Sequence, residues 1–246
     1  MKDVLLLTGG GRGIGAALVR AAVSRDYAVC FSYLRDDEAA GRLVAELEGA
    51  GHKVHRIRGD VADPSFPKAS FDEAESIFGP VTALVNNAGI TGRIGPFSDV
   101  ELPTLRRTLD TNVLGTMMLA QEAIRRWGDT GTPGRMVNIS SIAATLGAPN
   151  EYVHYAASKA AVEAFTIGLA KEVAASGIRI NAVAPGTVYT DIHAAAGEPD
   201  RPARVVSRVP MGRIGQADEI ARAVLWLLSP EASYVTGAVL RVSGGL

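Results

Sequence analysis

A single cysteine, Cys30, is all that this chain of 246 residues offers to sulfur chemistry. One thiol excludes an internal disulfide, and no CxxC or Cys/His spacing announces a structural zinc site. Because Cys30 lies within the apolar stretch AVCFSY, a buried core thiol is the expectation. An excess of one charge is also lacking: 25 basic residues face 26 acidic ones, for a formal net charge of −1. That balance gives no electrostatic footprint for nucleic acid or an anionic membrane. No run approaches the ~18 apolar residues of a membrane span, and MKDVLLLTGG has neither the long apolar segment nor the cleavage site of a signal peptide. The expectation is a soluble cytoplasmic protein with no nucleic-acid or membrane partner. Nothing reads as a linker, a low-complexity tract or a short-period repeat, so one domain over residues 1–246 is expected.

Glycine is plentiful, with 27 residues, and five of them fall in the eight positions TGGGRGIG at 8–15. Each glycine adds unfolded-state entropy that folding must remove, so such density needs a reason. The loop follows the apolar run VLLL and precedes a segment in which Ile14, Leu18, Val19, Ala22 and Val23 recur at helical spacing. A glycine turn between strand and helix presents unpaired N–H groups and the positive end of the helix dipole to an anion. The same alternation continues along the chain. Strand-like runs lie at 4–8, 28–33, 53–58, 83–87, 135–140, 178–184 and 238–242; helix-like segments include 14–25, 38–48, 102–127, 152–175 and 217–228. Such alternation argues for βαβ crossovers and a parallel sheet covered on both faces, an α/β doubly wound domain. The stretches 59–71 and 193–203 read as loops.

On spacing alone the glycine register is open, because Gly11-x-Gly13-x-x-Ala16 and Gly9-x-x-x-Gly13-x-Gly15 both fit. The rest of the chain decides. TGGGRGIG, NNAG at 86–89, NISS at 138–141, YAASK at 155–159 and NAVAPGTVYT at 181–190 occur in this order and spacing. Together they resemble the short-chain dehydrogenase/reductase family over essentially the whole chain, and the pattern looks closest to its glucose/ribitol-dehydrogenase-like oxidoreductases. The resemblance implies a seven-stranded parallel Rossmann sheet with helices on both faces. It also selects Gly9, Gly13 and Gly15, which leaves Gly10 and Gly11 as variable positions. It further implies that Gly9, Gly13 and Ile14 line a dinucleotide pyrophosphate, that Asp60 and Val61 meet the adenine, and that Asn87, Ala88 and Gly89 border the adenosine ribose. Pro185, Gly186, Thr187 and Val188 resemble the loop that fixes the nicotinamide carboxamide.

An acidic residue ending the second strand would bind a ribose 2′-OH and repel a 2′-phosphate. Here the sequence is FSYLRDD, with Ser32 and Tyr33 at the critical stretch, Arg35 after them and Asp36 and Asp37 at a helix start. Arg12 stands in the glycine loop, where family members that use NADP often carry a basic residue. Two arginines near a dianion favour NADP(H), with NAD(H) as the alternative.

Tyr155 and Lys159 are spaced i, i+4 on one helical face. A phenol with a pKa near 10 is a poor acid–base catalyst unless a neighbouring cation favours its phenolate. The resemblance makes Tyr155 the general acid/base and gives Lys159 the phenolate and the nicotinamide ribose to hold. It has Ser141 hold the substrate oxygen, with Ser140 the weaker choice, and Asn112 complete a proton relay to solvent. Hydride passes between the nicotinamide and a carbonyl or secondary alcohol, and no metal is required. Tyr152 packs or lines the site, His154 points elsewhere on the helix, and His52 and His55 look structural.

The region 189–210 matches the family's variable substrate lid and contains His193. Arg93 and Arg201 could meet an anionic substrate, although solvation is the simpler reading for both. Relatives are commonly homotetramers, so a tetramer is expected, with a dimer as the alternative. An NAD(H)-preferring sugar or polyol dehydrogenase and a catalytically idle dinucleotide sensor are the rival functions. A Rossmann-type methyltransferase would leave NISS and YAASK unexplained.

Overall fold

Val4, Leu5, Leu6 and Leu7 show why the first strand is uniformly apolar. Leu5 and Leu7 enter one core cluster, Val4 and Leu6 enter another, and all four are buried. Alternating side chains of a strand covered on both faces have no solvent side, so period-two polarity disappears. The computed structural model describes residues 3–246. Its strands are β1 (Val4–Leu7), β2 (Ala28–Tyr33), β3 (Val54–Arg58), β4 (Ala83–Asn86), β5 (Arg135–Ile139), β6 (Arg179–Pro185) and β7 (Val239–Val242). All pair in parallel in the order β3-β2-β1-β4-β5-β6-β7. This is the seven-stranded doubly wound sheet that the alternation and the resemblance both imply. Cys30 is fully buried in β2 and its thiol is pushed up to about 12 by burial.

Helices α1 (Gly13–Val23), α2 (Asp37–Gly49), α3 (Phe66–Phe78), α4 (Leu102–Leu109), α5 (Gly115–Thr130), α6 (Ala143–Leu146), α7 (Val153–Val173), α8 (Ile192–Ala195), α9 (Arg201–Val205) and α10 (Ala217–Leu228) complete the fold. On one face α1, α2 and α10 cover the sheet with Leu18, Val19, Leu43, Leu47, Ile220 and Leu225. On the other, α3, α5 and α7 supply Phe71, Ala74, Leu119, Trp127 and Val173. Strand order reverses beside β1, and at such a switch point the crevice beyond the carboxyl ends of the strands is where ligands sit. The glycine loop, Tyr33, NNAG, NISS and PGTV all leave the sheet at those ends.

Three local expectations need correcting. The stretch 59–71 reads as loop because of its prolines, yet α3 begins at Phe66 with Pro67 in its first turn. There proline's missing N–H is harmless, and Phe66, Phe71 and Ala74 bury one face. The helix expected over 102–127 is interrupted by one π-helical turn, Asp110–Leu114, that contains Asn112. Such bulges displace the helical register locally and often occur at functional sites. The 193–203 loop also holds most of α8 and the start of α9.

Candidate active site

The glycine loop folds back on itself because Gly9 and Gly13 take left-handed backbone conformations, with φ +67° and +53°. Asn87 pins it, its side-chain amide donating to the carbonyls of Thr8 and Gly9 at 2.9 Å each. Thr8 Oγ1 in turn accepts from the N–H groups of Asn87 and Ala88 at 3.0 Å. The β1 and β4 loops are therefore one unit. A Cβ on Gly15 would stand 2.0 Å from the Gly9 carbonyl, so this position is closed to any side chain by backbone. No side chain caps the start of α1, whose N-cap residue is Arg12. A Cβ on Gly13 would touch the Thr190 methyl at 3.2 Å, which places the 189–210 segment against the loop.

The expectation that Gly10 is variable fails. A Cβ there would lie 2.5 Å from the Cβ of Phe31 and 2.7 Å from its ring, and Phe31 is fully buried. Gly11 has only ordinary contacts, 3.6 Å and beyond. Gly10→Ala is accordingly expected to destabilise the protein by about 1–3 kcal/mol through overpacking. Gly11→Ala should stay within about 0.5 kcal/mol of the parent. Chemical denaturation of the two variants checks this, and equal midpoints would refute it.

At the end of β2, the two acids that complicate a 2′-phosphate site are already engaged. Asp36 accepts from the Ala39 N–H as the cap of α2. Asp37 accepts from the Tyr33 hydroxyl and from Arg56, and these bonds hold its carboxyl below the usual range. Arg12 and Arg35 are exposed and form no ion pair among the described residues. Two further arginines escaped the motif reading: Arg58, in register with Tyr33, and Arg56, whose guanidinium lies 5.6 Å from the Tyr33 ring centre. Only the pairing of β3 with β2 brings them there. Asp60 is fixed by the Ala62 N–H at 3.0 Å and by Arg107 at 2.7 Å, another partner that no motif announced. Val61 is buried in the core cluster of that face.

The reactive groups lie along the start of α7. Tyr155 is 8% exposed and Lys159 is 4% exposed, with Lys159 Nζ 5.7 Å from the phenol ring centre. Burial pushes the phenol above its ordinary value, opposed by the neighbouring Ser141 hydroxyl and by the charge of Arg201. Burial also lowers the Lys159 ammonium to about 8, and Nζ donates to the Ile139 carbonyl at 2.7 Å. The two NISS serines divide. Ser140 Oγ donates to Glu163 at 2.7 Å, whereas Ser141 faces Tyr155. A Cβ on Gly89 would sit 3.3 Å from Asn112 Oδ1 and 3.4 Å from Lys159 Nζ, so the NNAG loop passes directly over this pair.

Asn112 spends its whole side-chain amide on structure. It accepts from the Ile90 N–H and donates to the Ile90 carbonyl and Ser158 Oγ, each at 2.9 Å. The π-helical turn thus clamps the NNAG loop to α7. Gly186 abuts Ser243, where a Cβ would come within 2.7 Å of the Ser243 Cα, and Thr187 accepts from the Gly215 N–H at 3.0 Å. Val188 is buried, and its carbonyl faces His193 Nε2 at 3.0 Å. His154 points away from Tyr155 onto the Thr91 carbonyl, and His55 pairs with Glu73, in keeping with structural roles. Tyr152 packs edge-on against Tyr155 with ring centres 5.2 Å apart. The solvated reading of Arg201 is overturned: its side chain is 11% exposed and bound to Glu151. Arg93 is exposed and without an ion pair among the described residues.

A buried phenol with a hydroxyl and a lysine beside it can move a proton at an oxygen brought against it. The class of protein this defines is a dinucleotide-dependent oxidoreductase. A family model described as enoyl-(acyl carrier protein) reductase matches residues 9–246, and the chain belongs to the short-chain dehydrogenase/reductase family. It is 43% identical to an Escherichia coli (strain K12) protein named "Uncharacterized oxidoreductase YgfF", over 98% of this chain and 99% of that one. It is 34% identical to "L-rhamnose 1-dehydrogenase (NAD(P)(+))" of a Sphingomonas species, over 98% and 95%. A crystal structure of a blue fluorescent protein from a metagenomic library, in complex with NADPH, superposes with a TM-score of 0.89 at 36% identity, covering 99% of this chain and 97% of that one. No helix among the described residues is long and apolar enough to cross a membrane.

Proposed function

We propose that this protein is an NADP(H)-dependent oxidoreductase that interconverts a carbonyl and a secondary alcohol, with Tyr155 as general acid/base. The observation that carries the reading is the buried Tyr155 with Ser141 beside its hydroxyl and Lys159 beside its ring. Ser141 donates to the substrate oxygen and holds it against the phenol. Tyr155 gives its proton to the developing alkoxide in reduction and takes it back in oxidation. Lys159 stabilises the phenolate form and holds the nicotinamide ribose. Asn112, at the π-helical turn, has its side-chain amide committed to Ile90 and Ser158, so its main-chain carbonyl is the group left to link the relay to solvent. The region 189–210 acts as the substrate lid of a single domain, and a cytoplasmic homotetramer is the expected assembly.

The residues of the glycine loop suit a dinucleotide. A Cβ at Gly9 would crowd Ala88 and Asn87 at 3.0–3.2 Å, so bare backbone is left where a pyrophosphate must approach. Gly9, Gly13 and Ile14 would hold that group. Asp60 and Val61 would hold the adenine, Asn87 to Gly89 the adjoining ribose, and Pro185 to Val188 the carboxamide. When bound, the cofactor supplies or accepts the hydride. Arg12 and Arg35, together with Tyr33, favour the 2′-phosphate, because the nearby acids are already engaged. The NADPH in the structural neighbour supports the same choice.

Two measurements test this reading. A panel of diverse carbonyls and alcohols with both cofactors compares the wild type with Tyr155→Phe; equal NADPH consumption throughout would remove the enzyme assignment for those substrate classes. Arg12→Ala and Arg35→Ala are each expected to weaken NADP(H) binding about tenfold or more, the worth of one charge-assisted hydrogen bond. NAD(H) binding should change less than about twofold. Calorimetric titration reads both, and tighter NAD(H) than NADP(H) binding by the wild type would overturn the preference.

A further inference from the structure

Between the end of the 189–210 segment and the start of α7 lies a run of ion pairs that the chemistry above leaves unused. Glu151, just before the N-cap Tyr152, is mostly buried with its side chain 12% exposed. Its Oε2 accepts from Arg201 Nη2 at 2.6 Å and Nε at 3.1 Å, and its Oε1 from Arg204 Nη2 at 2.7 Å. Arg204 continues to Glu198 at 2.8 Å. Burial alone would raise the Glu151 carboxyl, but the two guanidinium groups overcome it and hold the group below its usual range. The backbone follows the same seam, with Ile94 N–H donating to Ala196 and Gly95 N–H to Glu151. From this anchored position the Arg201 guanidinium lies 5.2 Å from the Tyr152 ring centre, and Tyr152 meets Tyr155 edge-on at 86°.

We propose that Arg201 is a positioning residue for Tyr155, seated on Glu151, that braces the phenol through Tyr152 and brings positive charge to the site only while the 189–210 segment is docked. The proposal rests on the acid–base reading of Tyr155 and adds a coupling between the lid and the proton donor. A cation stacked on one aromatic face stiffens that ring, and the ring edge then fixes its neighbour. Around Tyr155 stand Lys159 on its own helix, Ser141 from the β5 loop, Glu151 and Tyr152 at the start of α7, and Arg201 from α9. His154 and His193 are turned onto the Thr91 and Val188 carbonyls. Arg201 is thus the cation facing Tyr155 that the 189–210 segment supplies. Its departure weakens the phenolate, and its return favours proton loss.

Two substitutions push in opposite directions. Arg201→Gln removes the charge, and Tyr155 should ionise at higher pH. Glu151→Gln keeps an acceptor for Arg201 but removes the compensating anion, and Tyr155 should ionise at lower pH. Arg201→Lys should stay near the wild type. Ultraviolet phenolate absorbance follows this, each protein measured against its own Tyr155→Phe counterpart and checked by circular dichroism at every pH. An unmoved midpoint in Arg201→Gln overturns the proposal, as does an upward move in both variants, which marks mere loosening. On a substrate found by the panel, Arg201→Gln should lower neutral-pH oxidative kcat/KM about three- to tenfold through kcat. A rise in KM confined to anionic substrates would instead make Arg201 a substrate ligand and overturn it. The absorbance titration needs no turnover, so an inactive panel refutes the enzyme reading while the lid coupling is still decided.

Discussion

Tyr155→Phe is expected to lower kcat for carbonyl reduction about a thousandfold, within the range that one positioned proton donor contributes. The substitution keeps the ring that packs edge-on against Tyr152 and removes only the hydroxyl that faces Ser141. Stability should change by less than about 1.5 kcal/mol, because at most one hydrogen bond is lost and no cavity opens. NADP(H) affinity should stay within about threefold. A wild-type phenol pushed up by burial is protonated at neutral pH, so reduction finds its acid ready. Oxidation must first remove that proton. Oxidative kcat/KM should therefore climb with pH while reductive turnover falls on the alkaline side, and Phe should abolish the dependence. Single-turnover measurements in both directions read these effects. Retention of more than a tenth of wild-type kcat would end the assignment of Tyr155.

Much of this site is legible in the sequence because its parts are local. Tyr155 and Lys159 are set by one turn of helix, so spacing alone pairs them, whereas the register of Gly9, Gly13 and Gly15 needed the order of the later motifs. Asp36 shows the same locality, since a cap is set three residues away. What escaped was decided across the sheet. Phe31 closes Gly10 from the neighbouring strand, Arg56 and Arg58 reach Tyr33 only through the pairing of β2 and β3, and Arg107 reaches Asp60 from a helix 47 residues later.

Arg201 was misread for a related reason. A loop rich in Ala, Gly and Pro carries no periodicity to signal that its arginine is buried, and the partner Glu151 lies 50 residues away. The π-helical turn was equally hidden, because Asp110–Leu114 fits an ordinary helix by propensity. Its cause is tertiary: Asn112 commits its amide to Ile90 and Ser158. Local propensity supplies the frame, and long-range polar contacts adjust the groups that act.

Lys159→Met carries the second large effect, and its sign separates function from stability. A buried ammonium lowered from 10.5 to about 8 is a group that the fold disfavours in its charged form. Below pH 8 the native state bears that penalty in full, roughly 3 kcal/mol at 1.36 kcal/mol per pH unit. Between about 8 and 10.5 the unfolded chain holds more protons at this position than the native one, so the penalty fades as pH rises. Methionine fills similar volume with no charge, and such replacements of buried ions are often neutral or stabilising. Loss of the 2.7 Å bond to the Ile139 carbonyl offsets part of the gain, leaving an expected increase of about 1–2 kcal/mol at pH 7. The advantage over the wild type should shrink between pH 8 and 10, and contributions from Cys30 and the other tyrosines cancel in the difference. Activity should fall at least a hundredfold if Lys159 serves the phenolate and the nicotinamide ribose as proposed. Denaturation midpoints across that pH range, read beside turnover, decide the matter. A variant less stable than the wild type at pH 7 would mean that Lys159 holds the fold together. One that is more stable and inactive would mean that the fold tolerates a strained charge for the sake of the reaction.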